Sequence, residues 1–263
     1  MNTKTKTALL SLALAAVACA QPAIAPPQVG FIQDSANSFR PVNGFAANFV
    51  LGNPITSNVL SAAFSGSLGL STTGAALTVT DSKGETVATT AAPAGPALFA
   101  FSRTGARALA FFPNAGSLLL WNHGTFEPIP YDQSAFPTSA VQSIAWPDPL
   151  HAAFLLERND EIWAVRILLA TGQVDSQFAL PGVIAPVLWL ATGELVWTDA
   201  SGIVIRRHDG SETHLAAQIP ANFSLQQMGN EWIQGADLAG ADQFAIRVTP
   251  GHEGFFALPG VQQ

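Results

Sequence analysis

Short apolar runs recur along the chain, separated by clusters of Gly, Pro, Asp and Asn. The 130s and the 150s lack a sustained i, i+3, i+4, i+7 stripe, so the pattern does not predict long amphipathic helices. Turn dipeptides punctuate the runs: Lys83-Gly84, Thr104-Gly105, Ala115-Gly116, His123-Gly124, Thr192-Gly193, Ser201-Gly202 and Asp209-Gly210. Glycine supplies the positive φ that tight hairpins need. Regularly spaced short strands with such turns predict an all-β chain.

The strands group into a degenerate repeat of four. The first unit runs Val59–Phe64, Gly69–Thr72, Ala76–Asp81 and Thr86–Thr90. The second runs Ala97–Phe101, Arg107–Phe112, Ser117–Asn122 and Thr125–Pro130, and the third Val141–Trp146, His151–Leu156, Glu161–Leu168 and Gln173–Leu180. The fourth runs Ile184–Trp189, Glu194–Thr198, Gly202–Arg207 and Glu212–Ala216. A weaker fifth runs Phe223–Met228, Glu231–Gly235, Gln243–Val248 and Gly254–Leu258. The bulky residues Phe64, Phe101, Trp146, Trp189 and Met228 close the first strands at intervals of roughly 37 to 45 residues, the period of propeller blades. A four-stranded sheet that is apolar on both faces cannot hide both alone, and stacking blades in a ring solves this. Trp121, Trp146, Trp163, Trp189, Trp197 and Trp232 are expected to fill the wedges between blades.

Upstream, Val29–Asp34 and Phe39–Val42 form a predicted hairpin around Ala36-Asn37, followed by Asn48–Leu51. Pairing of this hairpin with the strands around Phe255 to Leu258 would close the ring. The expected fold is therefore a single β-propeller of about six four-stranded blades, some incomplete. Five blades with an N-terminal appendage is the alternative.

The segment Ala100-Phe101-Ser102-Arg103-Thr104-Gly105-Ala106-Arg107-Ala108-Leu109-Ala110 looks like a propeller blade's first strand, turn and second strand. Ser117–Asn122 looks like the third, and Val196-Trp197-Thr198-Asp199 echoes a Trp-Asp ending. Over about Val59 to Leu258 the chain thus resembles WD40-like and TolB-like β-propellers, and its layout is similar to uncharacterised exported bacterial propeller proteins. The resemblance implies the ring fold and no particular activity, because propellers host enzymes, scaffolds and binding modules alike.

Composition narrows the function classes. Charged residues make up 11% of the chain, against about 25% in typical domains, which suits strands buried on both faces. A net charge of −7 argues against a nucleic-acid partner and against an anionic membrane surface. Near the N-terminus, Lys4 and Lys6 precede an apolar run from Ala8 through Val17. That run is too short to span a bilayer, which takes about 20 residues, and has the length of a signal-peptide core. Residues 1–20 are read as a signal peptide, 21–28 as a Pro- and Ala-rich tether, and 29–263 as the propeller domain. No integral membrane span is expected. Two processing readings stay open. Signal peptidase I would use Ala18 and Ala20 and cleave between Ala20 and Gln21, whereas a lipobox reading makes Cys19 the lipidated first residue. Cys19 is the only cysteine, so no disulfide is expected in the mature domain.

Candidate chemistry is sparse. His123, His151, His208, His214 and His252 show no metalloprotease spacing. His208 and His214 could approach each other across a hairpin near Asp209 and Glu212, but no metal ligand is nominated. Ser65-Gly66-Ser67-Leu68-Gly69 has the wrong order for a nucleophile elbow, and no Gly-rich phosphate loop follows a strand. Asp34, Asp132, Asp148, Asp175 and Asp199 fall at strand ends or loops, and Asp160 and Glu161 in a hairpin turn after Arg158, with Asp160 expected to pair with Arg158. No catalytic or cofactor-binding residue is nominated. The expected function is an exported, non-catalytic binding or scaffold protein of the cell envelope, periplasmic or secreted, or an outer-membrane lipoprotein if Cys19 is acylated. Its partner would be an envelope protein or a glycan. The alternative is a carbohydrate-active hydrolase or lyase with acids at the propeller channel.

Overall fold

The structure, a computed structural model, describes residues 26–220, 222–237 and 242–260. The signal peptide and its processing residues Cys19, Ala20 and Gln21 lie outside the described residues. Of the tether, Gln28 already belongs to the first strand.

Among the described residues, glycine and aspartate turns break the apolar runs into 23 strands, which pair only with their neighbours in sequence to give six antiparallel sheets. Blade 1 holds β1 (Gln28–Gln33), β2 (Phe39–Phe45) and β3 (Asn48–Leu51). Blade 2 holds β4 (Ser61–Phe64), β5 (Leu68–Thr72), β6 (Ala76–Asp81) and β7 (Thr86–Ala91). Blade 3 holds β8 (Leu98–Phe101), β9 (Ala108–Phe112), β10 (Ser117–Asn122) and β11 (Thr125–Ile129). Blade 4 holds β12 (Val141–Asp148), β13 (His151–Arg158), β14 (Glu161–Leu168) and β15 (Val174–Ala179). Blade 5 holds β16 (Leu188–Trp189), β17 (Leu195–Asp199), β18 (Gly202–Arg206) and β19 (Glu212–Ala216). Blade 6 holds β20 (Phe223–Gln227), β21 (Trp232–Asp237), β22 (Gln243–Arg247) and β23 (Gly254–Ala257). The ring therefore has six blades and not five, the first of them three-stranded.

The core is divided among the gaps between blades. Side chains alternate across a strand, so neighbouring residues on one strand face different blades. On β13, Phe154 packs with Phe111 and Trp146 between blades 3 and 4, while Leu155 packs with Trp197 and Val204 between blades 4 and 5. Each of six apolar clusters is built from two consecutive blades. Burying one such leucine or phenylalanine is worth about 1.5–3 kcal/mol, which explains how a blade that is unstable alone holds in the ring. Five of the six tryptophans occupy these gaps as expected. Trp163 joins none of the clusters and lies beneath the Arg158 guanidinium, 5.5 Å from the ring centre. Arg158 is thereby turned away from Asp160, so the expected local pair does not form. Asn159 and Asp160 both have positive φ, 54° and 63°, and make the two-residue hairpin turn that matches strand twist.

Ring closure differs from the sequence expectation. β23 pairs with β22 alone, and the N-terminal hairpin shares no sheet with the C-terminal strands. Blades 1 and 6 instead meet face to face. Ile32, Val42 and Phe49 pack against Met228, Ala245 and Leu258, and Phe49 sits edge-on to Trp232 with ring centres 5.5 Å apart. The edge of β1 that faces away from β2 is satisfied across this seam. The Phe31 N–H donates to the Met228 carbonyl at 3.0 Å. The Gln33 N–H donates to Gln234 Oε1 at 3.2 Å, and the Gln33 carbonyl accepts from Gln234 Nε2 at 2.7 Å and Gln243 Nε2 at 3.2 Å. The Gln234 amide, fully buried, thus takes the place of a peptide group from a neighbouring strand. Gly30 lies so close that a Cβ there would fall 1.6 Å from the Met228 oxygen.

Candidate functional site: the channel and its rim

The ring encloses a cavity of about 370 Å³. Every blade contributes to its wall: Gln33, Ser61, Leu98, Ser143, Leu188 and Gln226, in blade order. In blades 2 to 6 the lining comes from the innermost strand or the residues just before it; in blade 1 it comes from the end of β1. The wall is of apolar, hydroxyl and amide groups, and none of its lining residues is charged. Most of its polar groups are engaged locally. Ser61 Oγ meets Thr72 Oγ1 at 2.9 Å and accepts from the Ala97 amide at 2.8 Å, and Gln142 Nε2 donates to Glu157 at 3.2 Å. Ser143 is 6% exposed, and its Oγ is itself buried and has no partner.

The acids singled out from sequence lie elsewhere. Four of them, Asp34, Asp132, Asp148 and Asp199, accept the backbone N–H two residues on through Oδ1, at 2.7–2.9 Å, and Asp81 does so at 2.8 Å. Asp209 does the same. These are Asx turns, which fold the chain locally. Asp34 is buried, takes a second amide from Ser38 and pairs with Arg40. It lines a second cavity, about 280 Å³, together with Gln33, Gln226 and Asp237 beside the channel. At Asp132 and Asp199 the hydroxyl and amide of Ser134 and Ser201 hold the carboxyl below the usual range.

The histidines do not converge. His208 lies against Gly193, while His214 stands 3.5 Å from Glu212 and 3.8 Å from Asp199. Among the described residues, no three His, Cys, Asp or Glu side chains gather as a metal site. One cluster escapes sequence reading. At one end of blade 4, His151 Nδ1 lies 2.7 Å from Asp148 and its Nε2 3.5 Å from Asp175, and Arg166 reaches Asp148 at 2.6 Å. Only the pairing of β12 to β15 brings these four residues together.

The cluster makes acid stability predictable. Burial alone would raise the Asp148 carboxyl, but the His151 hydrogen bond, the Leu150 amide and the charges of His151 and Arg166 together bring it below the usual range. Glu231 is lowered by the Thr249 hydroxyl and then by Arg247, against the opposing effect of burial. Groups lowered on folding bind more protons in the unfolded chain, so they contribute above the unfolded value and lose that contribution as pH falls through the folded one. Calorimetry should give a melting temperature that is flat from about pH 7 to 5.5 and falls below about pH 4. A maximum near pH 3 would contradict this account.

No family model matches the chain, and no curated protein sequence matches it significantly. Among the described residues no helix is long and apolar enough to cross a membrane. Among solved structures, the chain is similar to TolB from Acinetobacter baumannii, with a TM-score of 0.55 and 16% identity over 89% of this chain and 64% of that one. It is also similar to a chain of the nidogen/laminin complex, with a TM-score of 0.54 and 12% identity over 87% of this chain and 92% of that one. At such identity the likeness is one of fold. The chain is a six-bladed β-propeller whose fold resembles that of TolB.

Proposed function

We propose that the protein is an exported, non-catalytic binding or scaffold protein of the cell envelope. The observation that carries this reading is the channel wall, where all six blades present apolar, hydroxyl and amide groups and no charge. Glycoside hydrolysis uses two carboxyls about 5–9.5 Å apart, and that wall does not supply them. The flagged aspartates are occupied in turns and ion pairs instead. What remains is a rigid ring presenting loops at two ends, the arrangement on which binding surfaces usually sit. Export is supported by Lys4 and Lys6 ahead of the apolar run from Ala8 to Val17. Release with Gln21 first makes the protein periplasmic or secreted, and acylation of Cys19 makes it an outer-membrane lipoprotein. One chain of the nidogen/laminin complex shares the fold, so this ring occurs in a protein assembled with a partner.

The test is crosslinking of the tagged protein in intact cells, followed by mass spectrometry of its N-terminal peptide and of whatever is recovered with it. A mature N-terminus at Gln21 or an acylated Cys19, with a recurrent envelope partner, is the expected result. An intact N-terminus at Met1 in the cytoplasmic fraction would overturn the reading.

A further inference from the structure

The channel wall carries no charge, yet its hydrogen-bonding groups are polarised. Its four glutamines are Gln33 of β1, Gln142 of β12, and Gln226 and Gln227 at the end of β20. The orientation of each amide is set by an oxygen that can only accept. Gln33 Nε2 donates to the Val59 carbonyl at 2.9 Å, and Gln227 Nε2 to the Gly229 carbonyl at 3.1 Å. Gln142 Nε2 donates to the Glu157 carboxylate. Gln226 Nε2 donates to Gln234 Oε1, and the Gln33 peptide group fixes which end of Gln234 is the oxygen.

Each amide nitrogen is therefore tied to the protein, and each amide oxygen is left over. The Oε1 atoms of Gln33, Gln142, Gln226 and Gln227 accept no hydrogen bond from any protein group. These oxygens are not sealed in. Gln33, Gln226 and Gln227 are partly exposed and their Oε1 atoms keep accessible surface, while Gln142 is exposed. The rest of the wall is largely aliphatic, with Leu60, Leu98, Leu188 and Leu225 among its lining residues. Leu60 is 44% exposed, so an open apolar side chain adjoins the open acceptors.

This combination selects a ligand chemistry. An anion would meet no cationic side chain in the wall and a protein of net charge −7. A primary ammonium brings three N–H donors and a positive charge, and a charge-assisted bond to an amide oxygen is stronger than a neutral one. Glu157, which orients Gln142, forms no ion pair among the described residues and adds negative potential beside the wall. We propose that the channel is a binding site for a small primary amine, whose ammonium group donates to glutamine oxygens of the wall and whose aliphatic body lies on the leucines. The 370 Å³ cavity admits a chain of about six carbons. The proposal rests on the binding reading above and adds a ligand class to it.

The test compares hexan-1-amine, hexan-1-ol and hexanoate, one chain with three head groups, by ligand-observed saturation-transfer NMR at pH 7 and about 150 mM salt. Saturable binding of the amine is expected, with the alcohol at least ~10-fold weaker and the carboxylate weaker still. Gln142→Leu with Gln227→Leu should weaken the amine by about 5–10-fold and change the alcohol within about twofold, a split that loss of packing alone would not produce. Should that pair melt low, Ser224→Phe is the second variant. Ser224 is exposed and lines the channel, so the added ring fills the cavity and should abolish amine binding. Equal binding of all three head groups, or amine binding that survives Ser224→Phe, would overturn the proposal. Failure of the amine to bind, with an envelope partner still recovered by crosslinking, would remove this site and leave the binding reading standing.

Discussion

Gly30→Ala is expected to lower the melting temperature by about 6–12 °C, read by calorimetry or near-ultraviolet circular dichroism. The added Cβ would fall 1.6 Å from the Met228 oxygen and 2.7 Å from its carbonyl carbon. Both are backbone atoms, so no rotamer change relieves the overlap and blades 1 and 6 must part. Parting stretches the Phe31–Met228 hydrogen bond and loosens the packing of Ile32, Val42 and Phe49 against blade 6. Overpacking of this kind costs about 3 kcal/mol, and in a domain of this size each kcal/mol moves the melt by about 2–4 °C. Gly74→Ala is the control, because nothing lies within 4 Å of a Cβ there. A Gly30→Ala protein that melts with the control would show that the seam does not hold the ring.

Gln234→Leu should cost about 2–3 kcal/mol in urea unfolding, through hydrogen bonding and not through volume. Leucine nearly fills the buried site, but it leaves the Gln33 N–H without its acceptor and deprives the Gln33 carbonyl of the 2.7 Å donor. A buried polar group stripped of its partner costs about 1–3 kcal/mol. The bond from Gln226 is lost with it. Gln234→Glu separates the two effects: it keeps the shape and the acceptor, loses the donor and buries a charge, so it should be worse at neutral pH than in mild acid. Equal stability of Gln234→Leu and wild type would mean that packing and the remaining hydrogen bonds, from the Phe31 N–H to Met228 and from Gln243 to the Gln33 carbonyl, hold the β1 edge without the Gln234 amide.

Much of this architecture is legible in the sequence because blade strands are local. β6, β10, β14 and β19 begin and end where the turn residues place them. β16 is shorter than Ile184–Trp189 because Pro186 lacks the N–H a ladder needs, and pairing begins only at Leu188. Closure was not legible. The missing strand of blade 1 is replaced by a side chain 201 residues away, and a glutamine inside a strand gives no sign that it will act as a peptide group. The blade 4 cluster was hidden for a similar reason, since Asp148 and Asp175 meet His151 only through strand register. The role of the aspartates could have been found: Asp132-Gln133-Ser134, Asp199-Ala200-Ser201 and Asp209-Gly210-Ser211 share the Asp-x-Ser spacing of an Asx turn.

Because blades 1 and 6 share no strand, the ring resembles a belt fastened by a clasp, and the clasp's two halves are made at opposite ends of synthesis. Blades 2 to 5 can dock in the order in which they emerge, each covering its predecessor. The outer flank of blade 1, with Ile32, Val42 and Phe49, stays uncovered until Met228, Ala245 and Leu258 exist. Waiting adds little entropic cost, since loop closure grows only logarithmically with length. It does leave an apolar flank open for most of the time the chain is being built, and any chaperone that escorts this protein would have that flank to hold.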